Sequence, residues 1–294
     1  MRSITVMLAL LAGCSGNSFN QGTEPTGGSD SGDTTTDDTG DTTDDTGDTN
    51  SGDDSGDTDP VVEDCTNAWH PVHLSGWTKT FTATYEGASG TATEVGLGAT
   101  TGPDGEYYYR YQDTISNTSG SGYDTTVTVA CDLGADEGMF MLGWEGTYTY
   151  LLFEFIPMTD QVSATHSNPR RYFSPEWAVG SEGTWDYGYD LNIVQYAAGG
   201  KKPSYVLQQV SGTYADAGIA DLELFDGTTV TAYKLTNNSL IVSKNKFGST
   251  KQDIYIEQYW VKGLGLVKET FEDQTEGTIL LSKELSAYTG LTPE

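Results

Sequence analysis

The chain has 294 residues, 43 acidic against 14 basic side chains, and a formal net charge of −29. Clustered Lys and Arg for phosphate contacts are missing, which argues against a nucleic-acid partner. No apolar run of about 18 residues exists, so a membrane-spanning helix is excluded as well.

The N-terminus has the form of an export signal. Arg2 is followed by the apolar run Ile4–Ala12, too short to span a bilayer. The run ends in Leu11-Ala12-Gly13-Cys14, which resembles the lipobox of bacterial lipoproteins. That resemblance implies a signal peptide over 1–13, cleavage before Cys14, a diacylglyceryl thioether on its sulfur, and N-acylation, for example with palmitate. Two or three acyl chains anchor stably where one does not. Ser15, rather than Asp, follows the Cys, and the lipoprotein sorting rule then implies the outer membrane on its periplasmic or surface face. The expected partners are the membrane, through the anchor, and a ligand or envelope protein of unknown identity.

Residues 14–64 read as the lipidated Cys followed by a disordered tether of Asp, Thr, Gly and Ser. Positions 15–64 hold 15 acidic groups and no Lys or Arg. Apolar residues are too sparse there to offset the entropy of ordering. Fifty flexible residues reach roughly 40 Å. No window supplies the EF-hand spacing that specific calcium binding would need. Residues 65–294 keep a net charge of −15 and read as one antiparallel β domain or two similar halves, about 65–170 and 171–294.

Cys65 and Cys131 remain as one pair in an exported chain, where disulfides persist. A bridge over about 65 residues would stabilise by on the order of 4 kcal/mol. A zinc site from Cys65, His70, His73 and Cys131 has the right ligand types but the wrong spacing, so no metal and no cofactor is expected. His166, beside Asn168-Pro169, reads as a loop residue.

From Trp77 onward period-two alternation dominates: Trp77, Lys79, Phe81, Ala83 and Tyr85 share one strand face. Further strands are expected over Glu106–Tyr111, Tyr123–Ala130, Tyr148–Phe155, Trp185–Val194, Tyr205–Val210, Thr228–Thr236, Leu240–Lys244, Ile254–Trp260, Leu264–Phe271 and Thr278–Leu285. Gly87, Gly102–Gly105, Asp226-Gly227 and Asn237-Asn238 punctuate them. Short helices are allowed only over Ser174–Val179 and Thr213–Leu222. The fold class is mainly β: an antiparallel curved sheet, half-barrel or barrel, or a sandwich. Trp69-His-Pro71 before Trp77 and Tyr172-Phe-Ser-Pro175 before Trp185 form a weak echo of two halves.

Five segments in order, Pro175–Gly180, Gly183–Trp185, Gly227–Leu235, Tyr259–Lys268 and Glu284-Leu285, resemble bacterial lipoproteins with a curved antiparallel sheet similar to the periplasmic lipoprotein-carrier (LolA/LolB-like) group. The resemblance implies a fold over about 170–286 and carries over no functional residue. Gly263 and Gly265 fit a tight turn or bulge there, with Leu264, Leu266 and Val267 opening a strand.

Catalytic signatures are lacking. Only three His occur, with no Gly-x-Ser-x-Gly elbow, no His-Glu-x-x-His and no complete phosphate loop. Carboxylate pairs such as Asp136-Glu137 and Glu272-Asp273 carry no signal in so acidic a chain. The aromatics Tyr107–Tyr109, Tyr148, Tyr150, Tyr187 and Tyr189 suit sheet packing first and a sugar platform second. The expected function is non-catalytic: a lipid-anchored envelope protein that binds or scaffolds. A lipid carrier with a concave sheet and an extracellular hydrolase are the alternatives.

Overall fold

The computed structural model describes residues 69–102, 107–133, 136–152, 156–173, 184–197, 200 and 202–293. Twelve strands follow one another: β1 (Ser75–Tyr85), β2 (Ala88–Thr101), β3 (Tyr107–Asn117), β4 (Gly122–Leu133), β5 (Asp136–Leu152), β6 (Ile156–Phe173), β7 (Thr184–Tyr196), β8 (Ser204–Glu223), β9 (Thr229–Asn245), β10 (Gly248–Val261), β11 (Gly265–Asp273) and β12 (Thr278–Thr289). Each pairs antiparallel with its sequence neighbour, and β12 returns to pair with β1, closing a barrel. The antiparallel, mainly β expectation holds. The sheet goes further than an open curve, because closure leaves no edge strand exposed.

Alternation explains the wall. In β1 the face carrying Trp77, Lys79, Phe81, Ala83 and Tyr85 is the buried one, as the period of two requires. The opposite face carries Thr78, Thr80, Thr82 and Thr84. Elsewhere the outward set is also polar: Thr159, Gln161, Ser163 and Thr165 in β6, Lys268, Thr270 and Glu272 in β11. Membrane-spanning barrels show an apolar outer band instead. This barrel faces water. Inside, side chains such as Trp77, Tyr85, Tyr148, Tyr214, Phe271 and Met141 are almost wholly buried.

Close packing fixes particular glycines. A Cβ on Gly96 would come within 2.1 Å of the Trp77 indole nitrogen, so Trp77 lies directly against the β2 backbone. Gly263 and Gly265 have φ of 74° and 78° and make the turn from β10 into β11. Leu264 and Val267 are fully buried and Leu266 nearly so, as the turn-then-strand reading required.

Four expectations need correction. Thr213–Leu222 is strand, not helix: it lies in β8 and pairs with β9, a bulge between Asp216 and Ile219 absorbing the irregularity. Its Ala-rich composition was overridden by ladder pairing. Thr228–Thr236 and Leu240–Lys244 are one strand, β9, and Asn237-Asn238 sits in its middle. Asn237 is tolerated there because its buried amide donates to the Tyr187 hydroxyl at 2.8 Å. His166 is not in a loop; it points inward from β6 and packs edge-on to Tyr189 at 5.0 Å. Strands β2 and β6 were not anticipated, since β2 is Gly- and Thr-rich and β6 contains Pro157 and Pro169. The Ser174–Val179 segment, the signal and tether at 1–64, Cys14 and Cys65 lie outside the described residues, and Cys131 is described only as a backbone position in β4 opposite Met139.

Candidate functional site

The chain enters the barrel through residues 69–74. His70, Pro71 and Val72 are buried at the end where β1 begins. The Trp77 indole donates to Pro71 O at 2.9 Å, and a Cβ placed on Gly265 would come within 3.1 Å of Pro71 Cδ and 3.2 Å of Trp69 O. His70 packs between Tyr111 and Trp260. This segment roofs a polar pocket lined by charged side chains.

The floor is built by register. Lys79 on β1 faces Glu94 on β2, and Glu94 faces Asp113 on β3. On the other side Lys283 on β12 faces Glu269 on β11, which faces Gln258 on β10. All six point inward by period two, so strand order alone assembles them. Lys79 Nζ is 2.6 Å from Glu94 Oε2. Lys283 Nζ donates to both Asp113 oxygens at 3.1 and 3.2 Å and lies 3.5 Å from Glu269 and 3.8 Å from Glu94. The Tyr123 hydroxyl donates to Asp113 at 3.1 Å, Gln258 Nε2 to Glu269 at 3.2 Å, and Lys79 to Leu266 O at 3.1 Å. The Phe81 ring lies under both ammonium groups, at 5.5 and 5.9 Å.

Charge does not balance: two ammonium groups meet three carboxylates. Burial pushes Asp113 up to about 6, against the pull of Lys283. Burial also raises Glu269. Glu94 moves the other way: burial opposes its charge, but Lys79 and Lys283 together outweigh it and hold it below its ordinary value. Lys283 is raised well above the usual lysine range, because its carboxylates and Tyr123 overcome the cost of burying it. His70 falls to about 3 through burial and the nearby Lys79, so it is neutral. The cluster therefore holds two ammonium groups among three carboxylates, and Asp113 takes up its proton only as pH falls through about 6.

Room is scarce. The cavity among these groups has a volume of about 50 Å³, enough for one or two waters. Larger hollows, of about 530 and 370 Å³, are open ones. The first is lined by groups such as Asp186, Thr213, Asn238 and Asp253, the second by Thr91, Thr114, Asp124 and Thr147, all from the outward-facing sets.

The aromatics pack into the sheet, the first of the two roles expected for them. Tyr109, Tyr148, Tyr187 and Tyr189 are buried, and Tyr150 packs against the core. Tyr187 stacks with Tyr189 and lies 4.8 Å from Tyr214, while its hydroxyl meets Asn237 and Ser239. Sheet packing is their role. His70 and His73 are near the barrel entrance, and among the described residues no three His, Cys, Asp or Glu side chains converge as metal ligands. The charged cluster was missed in the sequence. Its visible trace was Lys79 on an otherwise apolar face, a placement that requires buried partners.

No family model matches the chain, and no curated protein matches it. Two solved structures resemble it. One is an inferred lipoprotein of Parabacteroides distasonis, 12% identical, TM-score 0.45, covering 77% of this chain and 100% of that one. The other is an inferred exported protein of Bacteroides fragilis with a YmcC-like fold, 11% identical, TM-score 0.42, covering 74% of this chain and 97% of that one.

Proposed function

We propose that this chain is a lipid-anchored envelope protein whose water-facing barrel binds or scaffolds without catalysis. One observation carries the reading: the outward faces of the strands are polar, and the cavity beneath the 69–74 roof measures about 50 Å³ and is lined by charge. An acyl-chain carrier needs the reverse, an apolar hollow of roughly 300 Å³ or more. The anchoring reading rests on Leu11-Ala12-Gly13-Cys14, and Ser15 after the Cys is what supports the outer membrane. Envelope fractionation tests it: the parent protein should stay with membranes and Cys14→Ser should be released. A Cys14→Ser protein that remains membrane-bound ends the lipoprotein reading. Saturable one-to-one binding of a fluorescent fatty acid to the released protein would favour the carrier instead.

The extracellular-hydrolase reading has one observation in its favour. Asp113 is raised and Glu94 lowered in one cavity, the pattern of an acid and a base. A substrate would have to displace the 69–74 roof, because the closed cavity is far smaller than a sugar or peptide site. Hydrolysis of a glycan or ester that Asp113→Asn abolishes would establish that reading.

A further inference from the structure

The chain's few lysines are not spread evenly. Two stretches, 191–215 and 227–252, contain no Asp or Glu and carry Lys201, Lys202, Lys234, Lys244, Lys246 and Lys251. The fold brings most of these together. Strand β8 pairs with β9, and β9 with β10, so the start of β8 and the β9–β10 turn lie at one end of the barrel. Lys202, Lys244, Lys246 and Lys251 are all exposed there. This is the end opposite the roof at 69–74.

The same end holds the most exposed large apolar side chains. Phe247, at the tip of the β9–β10 turn, is 87% exposed, and Tyr205, at the start of β8, is 67% exposed. Tyr196 at the end of β7 is also exposed. Register makes the patch continuous: Tyr205 faces Val194, Leu207 faces Lys244, and Val242 faces Lys251 on the outward side. Among the described residues, outward carboxylates around it begin at its borders, with Asp190, Asp253 and the Glu272–Glu276 turn. An apolar tip ringed by cations, in a chain of net charge −29, is a surface matched to an anionic interface with a hydrocarbon layer beneath it.

We infer that this end of the barrel docks on an anionic phospholipid surface, with Phe247 and Tyr205 at the headgroup boundary and Lys202, Lys244, Lys246 and Lys251 on the phosphates. The protein's overall negative charge does not forbid this. At physiological salt the Debye length is about 8 Å, so charge at the far end of the barrel is screened from the bilayer. The inference deepens the envelope reading but does not need the lipid anchor. It predicts membrane affinity for the barrel itself.

The test uses the full chain carrying Cys14→Ser, so that no acyl group contributes. Sedimentation with vesicles of phosphatidylcholine alone is compared with vesicles containing phosphatidylglycerol. Binding should require the anionic lipid and weaken as salt rises. Each lysine near the surface contributes about fivefold, so Lys244→Gln, Lys246→Gln and Lys251→Gln together should weaken binding roughly a hundredfold. Phe247→Ser should weaken it without altering the salt dependence. These side chains are exposed, so an unchanged thermal melt shows that the fold is kept. Equal sedimentation with both vesicle types, no sedimentation at all, or unchanged binding by the triple variant overturns the inference. So does a concentration-dependent dimer abolished by Phe247→Ser, which would give the patch to a second copy of the chain.

Discussion

Asp113→Asn isolates the charge imbalance of the buried cluster. The substitution keeps the shape of the side chain and removes one of three carboxylates, leaving two ammonium groups facing Glu94 and Glu269. Burial raises Asp113 from 3.8 to about 6, which at about 1.4 kcal/mol per pH unit corresponds to at most about 3 kcal/mol. The sign follows from proton counting. Between about pH 4 and 6 the folded state holds a proton on Asp113 that the unfolded chain releases. Asp113 therefore contributes stability at the acidic end of that window, and this is lost as pH rises through 6. Asparagine cannot titrate. Against this, its amide NH₂ would face donors on Lys283 or Tyr123, which now reach carboxylate oxygens at 3.1 Å, a cost of about 1–3 kcal/mol at any pH. That constant offset cancels when two pH values are compared. Denaturant unfolding of the parent and Asp113→Asn, followed by Trp fluorescence at pH 5 and pH 8, should show the variant gaining about 1.4 kcal/mol on the parent between the lower and the higher pH, since about half of the effect is already spent at pH 5. Glu94 has the opposite dependence, but its loss falls below about 4.5, outside the comparison. A stability difference that is the same at both pH values would refute the assignment of the extra proton to Asp113.

Other expectations are simpler. Leu266→Ala should cost about 2–5 kcal/mol, since the side chain is only 9% exposed and its removal leaves a cavity beside the charged cluster. Gly265→Val should cost about 1–3 kcal/mol from the positive φ alone, with added pressure from Pro71 Cδ at 3.1 Å and Trp69 O at 3.2 Å. Thermal melts read both, and native-like melts of the two variants would remove the motif's structural role. Cys65 and Cys131 should be oxidised to one disulfide in the exported protein; intact-mass measurement with and without reductant decides, and two free thiols would refute it.

The strands that could be read in the sequence are those whose inward face is mostly apolar, with at most one polar residue in the run. Strands β1, β7 and β10 announce themselves through Trp77–Tyr85, Tyr187–Ile193 and Ile254–Trp260. Where the inward face is polar, the same periodicity is present but its signal is lost. Asn237, Ser239 and Ser243 alternate through β9 as regularly as any apolar set, yet side-chain hydrogen bonds, not hydrophobicity, stabilise them inside. Asn237-Asn238 therefore looked like a turn. In β2 the contacts belong to backbone: Gly96 is a strand residue because Trp77 occupies the space of its absent side chain. No local rule reports a partner contributed by another strand. The charged cluster was hidden for the same reason. Glu94, Asp113, Glu269 and Lys283 are ordinary charged residues in sequence, and only the closed ring brings them within 4 Å of one another's partners.

The position of that cluster gives it a structural meaning. Lys79 and Lys283 belong to β1 and β12, the first and last strands, whose pairing closes the barrel. That pairing joins residues about 200 positions apart and contains a bulge between Thr80 and Phe81, so hairpin turns do not set its register. A slip of one residue would turn Lys79 or Lys283 outward and leave Glu94, Asp113 and Glu269 buried with one cation or none. Removing one partner of a buried ion pair costs about 3–5 kcal/mol. Apolar residues at these sites would lose only their own burial on such a slip, whereas each ammonium group also leaves buried carboxylates without their cation. The cluster thus acts against the wrong closures more than it favours the right one. On this account a Lys283→Met change does more than lower the melting point: it leaves three carboxylates around Lys79 alone and removes the preference that selects a single seam. Hydrogen exchange should then speed up in β1 and β12 before the β7–β9 wall, and should recover at pH 5 as the carboxylates take up protons. Uniform acceleration around the whole ring would mean that the cluster stabilises the barrel generally and does not specify its seam.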